Sequence, residues 1–214
     1  MRKAIILTAL AIVLFISEKA HAQFNINVGY APEFFSTTNA TDDNTTLYFD
    51  GLCIGLNWKL NLTNHFNLTT GAQFRLELRD KAESYHNIIF HHTFYSSVRE
   101  QQELIDIPIQ FHYDIALTPK VSLSPFVGSM LSWGLYGKTH EEYHYPLNVT
   151  FENNWYGKDF DMNRFNVYGT TGIKVCYKKF TLSSGYRWGF LDLNKLEDTT
   201  TKTHGFFIVF GHDF

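Results

Sequence analysis

The chain has 214 residues and a formal net charge of −3, and 18% of its residues are charged. A near-neutral chain of this length predicts one domain and argues against a nucleic-acid partner. Ordinary soluble domains carry roughly 25% charged residues. Aromatic residues here reach 17%. Few charges and many aromatic rings favour a protein whose outer wall contacts lipid.

The first 22 residues predict a signal peptide. Arg2 and Lys3 give a positively charged start, residues 4–16 are almost wholly apolar, and residues 20–22 (Ala-His-Ala) have the small-x-small form of a cleavage site. The apolar segment is too short for a membrane-spanning helix, which needs about 20 residues. We therefore expect the mature domain to cover residues 23–214.

Eight segments of the mature chain alternate between apolar and polar side chains, which is the signal of a strand with two different faces. They are 24–35, 52–62, 66–79, 105–117, 121–135, 165–177, 180–190 and 204–214. Short connections follow the second, fourth and sixth segments. Long polar connections follow the first, third, fifth and seventh, at 36–46, 80–101, 137–161 and 192–203.

Transmembrane barrels have an even number of strands, short periplasmic turns and long extracellular loops. The sequence therefore predicts an all-β fold: an eight-stranded antiparallel up-and-down transmembrane β-barrel. The order of long and short connections places both termini in the periplasm. The localisation that follows is the bacterial outer membrane, with its lipid as a partner.

Alternation alone does not say which face points outward. A soluble lipocalin-like carrier would reverse the faces, but an eight-stranded interior is only just wide enough for side chains to fill. The polar faces contain many glycines, which suit a crowded lumen, and aromatic residues such as Trp58 and Trp133 lie towards the strand ends. Transmembrane barrels place aromatic girdles there, so we expect the apolar face to contact lipid.

Nine charged residues are predicted to point into the lumen. They are Glu33, Lys59, Arg75, Glu77, Arg79, Asp106, Asp114, Lys174 and Arg187. Unpaired charges in a narrow lumen are costly, whereas paired charges are tolerated. We expect an internal network of ion pairs that plugs the barrel, with a gated ion path as the alternative.

No cofactor motif or catalytic constellation is found, so neither a cofactor nor an enzyme is expected. Cys53 and Cys176 fall on opposite walls and should be free, inward-facing thiols, because a disulfide needs Cα atoms within about 7 Å. Five histidines lie in the long connections: His86, His91, His92, His140 and His144. Their spacing fits no closed zinc pattern, which favours solvated loops over weak metal binding.

Aromatic residues in the third long connection are the candidate contacts for a partner. They are Tyr143, Tyr145, Phe151, Trp155, Tyr156 and Phe160. The leading hypothesis is a surface-binding or scaffolding protein, and the alternative is that these rings only fold the loop onto the barrel rim. An outer-membrane lipid-modifying enzyme and a narrow channel are the competing functions.

The final segment resembles the closing strand of bacterial outer-membrane barrels, which the barrel-assembly machinery reads. Its signal residues would be Phe206, Ile208, Phe210 and Phe214. Together with Ala-His-Ala at 20–22, the Ile-Asp-Ile-Pro-Ile opening at 105–109 and the Tyr/Gly-rich segments five to seven, the chain resembles the PorT-family outer-membrane barrels of Bacteroidota. That resemblance implies an outer-membrane location and a possible partnership with envelope or type IX secretion proteins.

Overall fold

A computed structural model describes residues 23–39, 44–87, 92–144, 149–157, 162–195 and 199–214. The predicted signal peptide and the candidate contacts Tyr145 and Phe160 lie outside these ranges. The described ranges form eleven strands in one sheet and contain no helix long and apolar enough to cross a membrane.

The strands are β1 (Gln23–Tyr30), β2 (Glu33–Asn39), β3 (Asn44–Asn61), β4 (Phe66–Asn87), β5 (His92–Tyr113), β6 (Ile115–Thr118), β7 (Val121–His144), β8 (Val149–Asn154), β9 (Phe165–Tyr177), β10 (Phe180–Gly189) and β11 (Thr199–Asp213). Every pairing between them is antiparallel. β1 pairs with both β3 and β11, so the sheet closes on itself.

The wall of the closed sheet has eight strand positions, as predicted from the eight alternating segments. We call each position a stave, because some contain two consecutive strands. β1 and β2 together form one stave, because each pairs with β3 on one side and β11 on the other. β6 continues the stave of β5 after Asp114 and also pairs with β7. β8 is an extra strand that pairs with β7.

The first alternating segment, predicted as one strand, is interrupted at Ala31 and Pro32. Proline has no backbone N–H to donate to a sheet. The ladder is bridged there by the Ala31 N–H, which donates to the Gly51 carbonyl at 2.8 Å. The strand is therefore interrupted at this point and continues as β2.

The short connections are held by their own side chains and backbone. The Thr63 hydroxyl accepts from the N–H of Phe66 at 3.0 Å, and the Thr118 hydroxyl accepts from the N–H of Val121 at 3.1 Å. Lys178 has a φ of 54°, the left-handed conformation that a tight hairpin turn demands. These tight turns fix the register of the strands on either side.

The outer surface is an apolar belt, as the sequence predicts. Ile54 on β3 is 57% exposed, and large apolar side chains on the other staves are exposed in the same way. Ten residues of β3 separate Trp58 from Tyr48. At about 3.3 Å per residue and a tilt of about 40°, that span gives a belt about 25 Å tall. This height matches the lipid-facing band of transmembrane barrels.

Three strands continue well above the belt, which corrects the prediction of long loops at 80–101 and 137–161. β4 pairs with β5 up to Asn87↔His92, and β5 pairs with β7 up to Tyr95↔His144. β8 joins the same sheet through β7. We call this part, 79–87 of β4, 92–101 of β5, 137–144 of β7 and β8, the projecting sheet.

Candidate functional site

The upper lumen contains a cluster of five buried charges around Arg75. Its guanidinium donates from Nε to Asp106 Oδ2 at 2.7 Å and from Nη1 to Glu33 Oε2 at 2.8 Å. It also donates to Glu77. Arg187 reaches the same Glu33 oxygen from the opposite wall at 2.7 Å. This central cluster therefore ties four staves together across the lumen.

Two neutral residues that were not among the predicted lumen charges complete the central cluster. The hydroxyl of Ser132 donates to Asp106 Oδ1 at 2.6 Å. The ring of Tyr168, which is buried in the lumen, lies 5.8 Å from the Arg75 guanidinium carbon and 6.0 Å from that of Arg187. Both residues occupy inward positions of β7 and β9, where alternation places them, but the predicted network contained charged side chains alone.

A second group lies lower in the lumen. Lys59 pairs with Asp114 at 2.6 Å, and Ser124 donates to the same carboxylate at 2.5 Å. A cavity of about 60 Å³ adjoins the central cluster, and Lys174 and Cys53 line it. Four buried polar atoms along it have no hydrogen-bond partner among the described residues: Asn57 Oδ1, Thr69 Oγ1, His112 Nε2 and Thr170 Oγ1. A space of this size and polarity suits a few water molecules.

The two cysteines are free, as predicted. Cys53 is buried against the lumen cavity, and Cys176 is half-buried on β9. Of the nine predicted lumen charges, five meet in the central cluster and two form the lower pair. Arg79 pairs instead with Glu100, which lies at an inward position of β5 just above the predicted strand.

Aromatic residues close the mouth above the central cluster. Phe35, Phe49, Trp155 and Leu193 form a buried apolar cluster, with ring centroids 4.9 Å apart for the two phenylalanines and 5.8 Å for Phe49 and Trp155. We call this group the aromatic plug. The indole N–H of Trp155 donates to the hydroxyl of Thr139 at 2.6 Å, which fixes the ring in place.

The position of Trp155 differs from the prediction that it contacts a partner. Its side chain is 4% exposed and belongs to the aromatic plug. Tyr156 is half-buried; its hydroxyl accepts from the Gln102 amide at 2.5 Å, and Arg164 lies 4.8 Å from its ring centroid. These two rings fold the end of the connection onto the barrel rim because they lie at its base.

The projecting sheet carries a row of charges on the face that continues the lipid-facing wall. Asp80, Arg99, His140 and Glu152 lie directly opposite one another on β4, β5, β7 and β8. Arg99 pairs with Asp80 at 2.9 Å, and the ring nitrogens of His140 lie 2.9 Å from Glu142 and 3.2 Å from Glu152. This charged row crosses all four strands above the membrane.

The carboxylates around His140 favour its protonated form. The hydrogen bond with Glu142, followed by that with Glu152, raises the pKa of His140 above its ordinary value of 6.5. Lys138 pairs with Glu152 at 2.7 Å, and this hydrogen bond lowers the pKa of that carboxyl. The arrangement joins β8 to β7 through side chains as well as through the backbone.

The opposite face of the projecting sheet, continuous with the lumen side, carries exposed aromatic rings. Tyr143 on β7 and Phe151 on β8 are diagonal neighbours, since Tyr143 pairs with Val149, and their ring centroids lie 6.0 Å apart in an edge-to-face arrangement. Phe151 is 52% exposed. These two of the six candidate contact residues are therefore available to a partner.

The side chains of His86, His92 and His144 and the whole of His91 lie outside the described part of the chain. Within that part, no three His, Cys, Asp or Glu side chains converge as a metal site would require. His140 has carboxylates as neighbours and acts as a hydrogen-bond donor to them.

Fold and lumen together define the class: the chain is an eight-stranded transmembrane β-barrel with a side-chain-filled lumen. Among solved structures it is similar to Ail, the attachment invasion locus protein of Yersinia pestis, at 13% identity and a TM-score of 0.45, over 90% of this chain and 99% of that one. Neisserial surface protein A is similar at 12% identity and a TM-score of 0.43, over 90% and 99%. The outer membrane protease OmpT of Escherichia coli has 6% identity and a TM-score of 0.36, over 92% and 97%.

No family model matches the chain, and no curated protein matches it. At these identities and TM-scores, the solved structures are similar in fold alone. Any function must be argued from the chain's own residues.

Proposed function

We propose that this protein lies in the bacterial outer membrane and binds a partner outside the cell through its projecting sheet. In this proposal the barrel is an anchor, and the lumen is closed to transport. The single observation that carries it is the continuation of the projecting sheet beyond the belt, directly above a sealed mouth.

The reach of the projecting sheet supports a binding role. The nine residues 79–87 of β4 lie above the belt, which at about 3.3 Å per residue gives a length of about 30 Å along the strand. A barrel that served only as a membrane plug would not need this extension. Neighbouring strands pair along nearly all of it, so it presents an ordered surface.

The lumen argues against conduction. An eight-stranded barrel leaves only enough interior space for side chains. Here the central cluster crosses it at one level, and the aromatic plug covers it at another. A solute would have to separate buried ion pairs and buried rings in turn.

Orientation and assembly belong to the same proposal. Projection of the sheet into the medium would put both termini and the short turns in the periplasm. Phe206, Ile208 and Phe210 on β11 and Phe214 just after it are exposed, as a strand read by the barrel-assembly machinery would present them. Reduced outer-membrane insertion of a Phe214→Ala chain, with normal insertion of Phe207→Ala, would support that reading; equal insertion of both would oppose it.

The resemblance to PorT-family barrels of Bacteroidota stays a proposal, and with it a role beside secretion-system proteins. Export of cargo proteins in a deletion strain tests it. Unchanged export would remove the secretion role and leave surface binding untouched.

Photo-crosslinking on intact cells tests surface binding. A benzophenone amino acid replaces Phe151 on the projecting sheet in one chain and Ile54 in the lipid-facing belt in the other. We expect a protein or polysaccharide adduct from position 151 and lipid adducts only from position 54. If position 151 gives no adduct, or only those given by position 54, the proposal fails.

A shortened chain provides the matched control. Joining Asp80 to Arg99 and Thr139 to Asn153 through tight turns removes the outer part of both hairpins at register positions that already face each other. This chain should still show the heat-dependent mobility of a folded barrel on SDS gels. Cells that express it should no longer bind the partner.

A further inference from the structure

β8 forms one edge of the projecting sheet. It pairs with β7, and no described residue pairs with its other side. An unpaired edge presents a row of backbone donors and acceptors to which another strand can add. The edge lies above the belt, beyond the reach of the lipid that covers the barrel wall.

The direction of each backbone group of β8 follows from one hydrogen bond. The N–H of Trp155 donates to the carbonyl of Gly137 on β7 at 2.9 Å. In an antiparallel ladder, the N–H and C=O of one residue point to the same neighbour, and those of the next residue point the other way. Val149, Phe151 and Asn153 therefore face β7, and Thr150, Glu152 and Asn154 face the open side.

The open side offers three N–H groups and two carbonyls to a docking strand. The N–H groups belong to Thr150, Glu152 and Asn154. The carbonyls belong to Thr150 and Glu152, because that of Asn154 already accepts from the N–H of Gly157 at 3.0 Å. This set matches the ladder of a short antiparallel or parallel strand.

The opposite edge of the projecting sheet differs in a way that singles out β8. Among the described residues, β3 pairs with β4 no further than Asp50↔Leu78, so this side of β4 is an edge from residue 79 onward. Residues 79–83 read Arg-Asp-Lys-Ala-Glu, with four charges in five positions. Charged edge positions, lysine above all, discourage strand addition. β8 reads Val-Thr-Phe-Glu-Asn-Asn and contains one charge and no proline.

The side chains beside the open edge describe the strand that fits it. On the lumen-side face, Phe151 and Val149 are exposed and would contact apolar residues. On β7 and β8 above the belt, Lys138 stands against Glu141, Glu142 and Glu152, a net charge of −2 when His140 is neutral (one positive, three negative). Complementary charge favours a basic partner.

We propose that the open edge of β8 binds an extended segment of a partner protein by strand addition, with alternating basic and apolar side chains. This inference rests on the proposed surface-binding function and names the partner's chemistry. Backbone hydrogen bonds give such a complex its affinity, and the alternating side chains give it specificity.

The test uses the full chain in lipid nanodiscs and a fluorescein-labelled peptide of alternating lysine and valine. Fluorescence anisotropy should show saturable binding. The same peptide with methylated backbone nitrogens at alternate residues should not bind, because it cannot donate to the edge carbonyls. Equal binding of the methylated peptide, or no binding of the unmodified one, would overturn the proposal.

Two variants at one position separate backbone from side chain. Thr150→Pro removes an N–H that faces the open side and no hydrogen bond to β7, so we expect affinity to fall about tenfold. Thr150→Val keeps the N–H and should stay within about twofold of the original chain. If Thr150→Pro loses its heat-dependent gel mobility, Glu152→Pro serves in its place, because its N–H faces the same side.

Three further outcomes would overturn strand addition by a partner. The purified chain could form a dimer that Thr150→Pro converts to monomers. That result would show that the edge binds a second copy of this chain, and it would overturn the proposal. If the adduct from position 151 persists on cells expressing Thr150→Pro, surface binding stands and strand addition fails. Loss of the adduct with both Thr150→Pro and Thr150→Val would place the contact in the Thr150 side chain and also overturn strand addition.

Discussion

Two arginine–carboxylate pairs join the same two strands, β4 and β5, at different heights. Arg75 and Asp106 meet in the lumen at 2.7 Å with side chains 0% and 1% exposed, whereas Arg99 and Asp80 meet on the projecting sheet at 2.9 Å with side chains 73% and 72% exposed. The geometry is nearly the same, but the surroundings differ. Burial decides what each pair does for the protein.

Water accounts for the difference. An exposed pair exchanges hydration for a partner at little net gain, typically about 0–1 kcal/mol. A buried charge that loses its partner has no water to replace it, so breaking such a pair costs about 3–5 kcal/mol. The lumen is therefore a structural element, and the charges of the projecting sheet are free to serve recognition.

The largest expected effect is at Arg75. Arg75→Met would leave Glu33, Glu77 and Asp106 buried with Arg187 as their remaining guanidinium, and should lower the free energy of unfolding by about 3–5 kcal/mol. Guanidinium-induced unfolding in detergent micelles, followed by tryptophan fluorescence, measures it. Arg99→Met is the matched control and should change stability by about 0.5 kcal/mol or less. Equal losses in the two variants would contradict the comparison.

The aromatic residues of the third connection offer the next test. Trp155→Ala opens the aromatic plug and should cost about 3 kcal/mol, the low end for a buried tryptophan. Phe151→Ala, four residues away on the same face, removes an exposed ring and should leave unfolding nearly unchanged. Partner binding should show the reverse order. If Phe151→Ala destabilised the barrel as much as Trp155→Ala, the division between plug and contact surface would be wrong.

Charges on the outer wall extend the comparison from lumen to lipid. Ile54→Arg places a charge at mid-height of the belt and should cost about 2–4 kcal/mol, whereas Thr46→Arg, on the outward face of the same strand above the belt, should cost about 0–1 kcal/mol. Unfolding from lipid vesicles measures both. Similar values for the two positions would place the membrane elsewhere on the barrel.

The smallest effect concerns pH and the projecting sheet. Since the pKa of His140 is raised in the folded chain, its contacts with Glu142 and Glu152 are fully present below about 6.5 and are lost as pH rises through the raised pKa. Arg99 and Lys138 face the same row and oppose this shift. Amide exchange in β8 should therefore quicken above that pH beyond the intrinsic rate. Glu142→Gln should weaken the dependence, and an unchanged profile in that variant would remove Glu142 as its cause.

Within the belt, the sequence predicts the fold well because each strand has lipid on one face and the polar lumen on the other. Ile54 faces lipid and Cys53 faces a polar lumen, so adjacent residues must differ, and the period-2 pattern records it. Lumen charges could be predicted from the same pattern. Tyr168 and Ser132 fall on inward positions of the same pattern, but they were left out of the predicted network because their side chains carry no charge.

Above the belt the pattern fades because water lies on both faces. Asp80 and Lys81 point to opposite faces of β4 and are both polar, so the strand has no apolar–polar contrast and was predicted as a loop. The prediction for Trp155 was wrong for a different reason. An aromatic residue in a polar connection suggests an exposed side chain, but Trp155 lies at the base of β8, where its ring points into the mouth of the barrel. Only the register of the strands settles such cases.

The seam of the barrel joins the two ends of the sequence. β1 and β11 pair along Asn25↔Asp213 to Tyr30↔Ile208, and the N–H of Phe214 donates to the carbonyl of Phe24 at 2.9 Å. The first stave therefore cannot satisfy its second edge until the last stave is in place. Closure of the barrel thus needs the whole chain: until β11 meets β1, both strands present an open edge, and an open edge is exposed to aggregation.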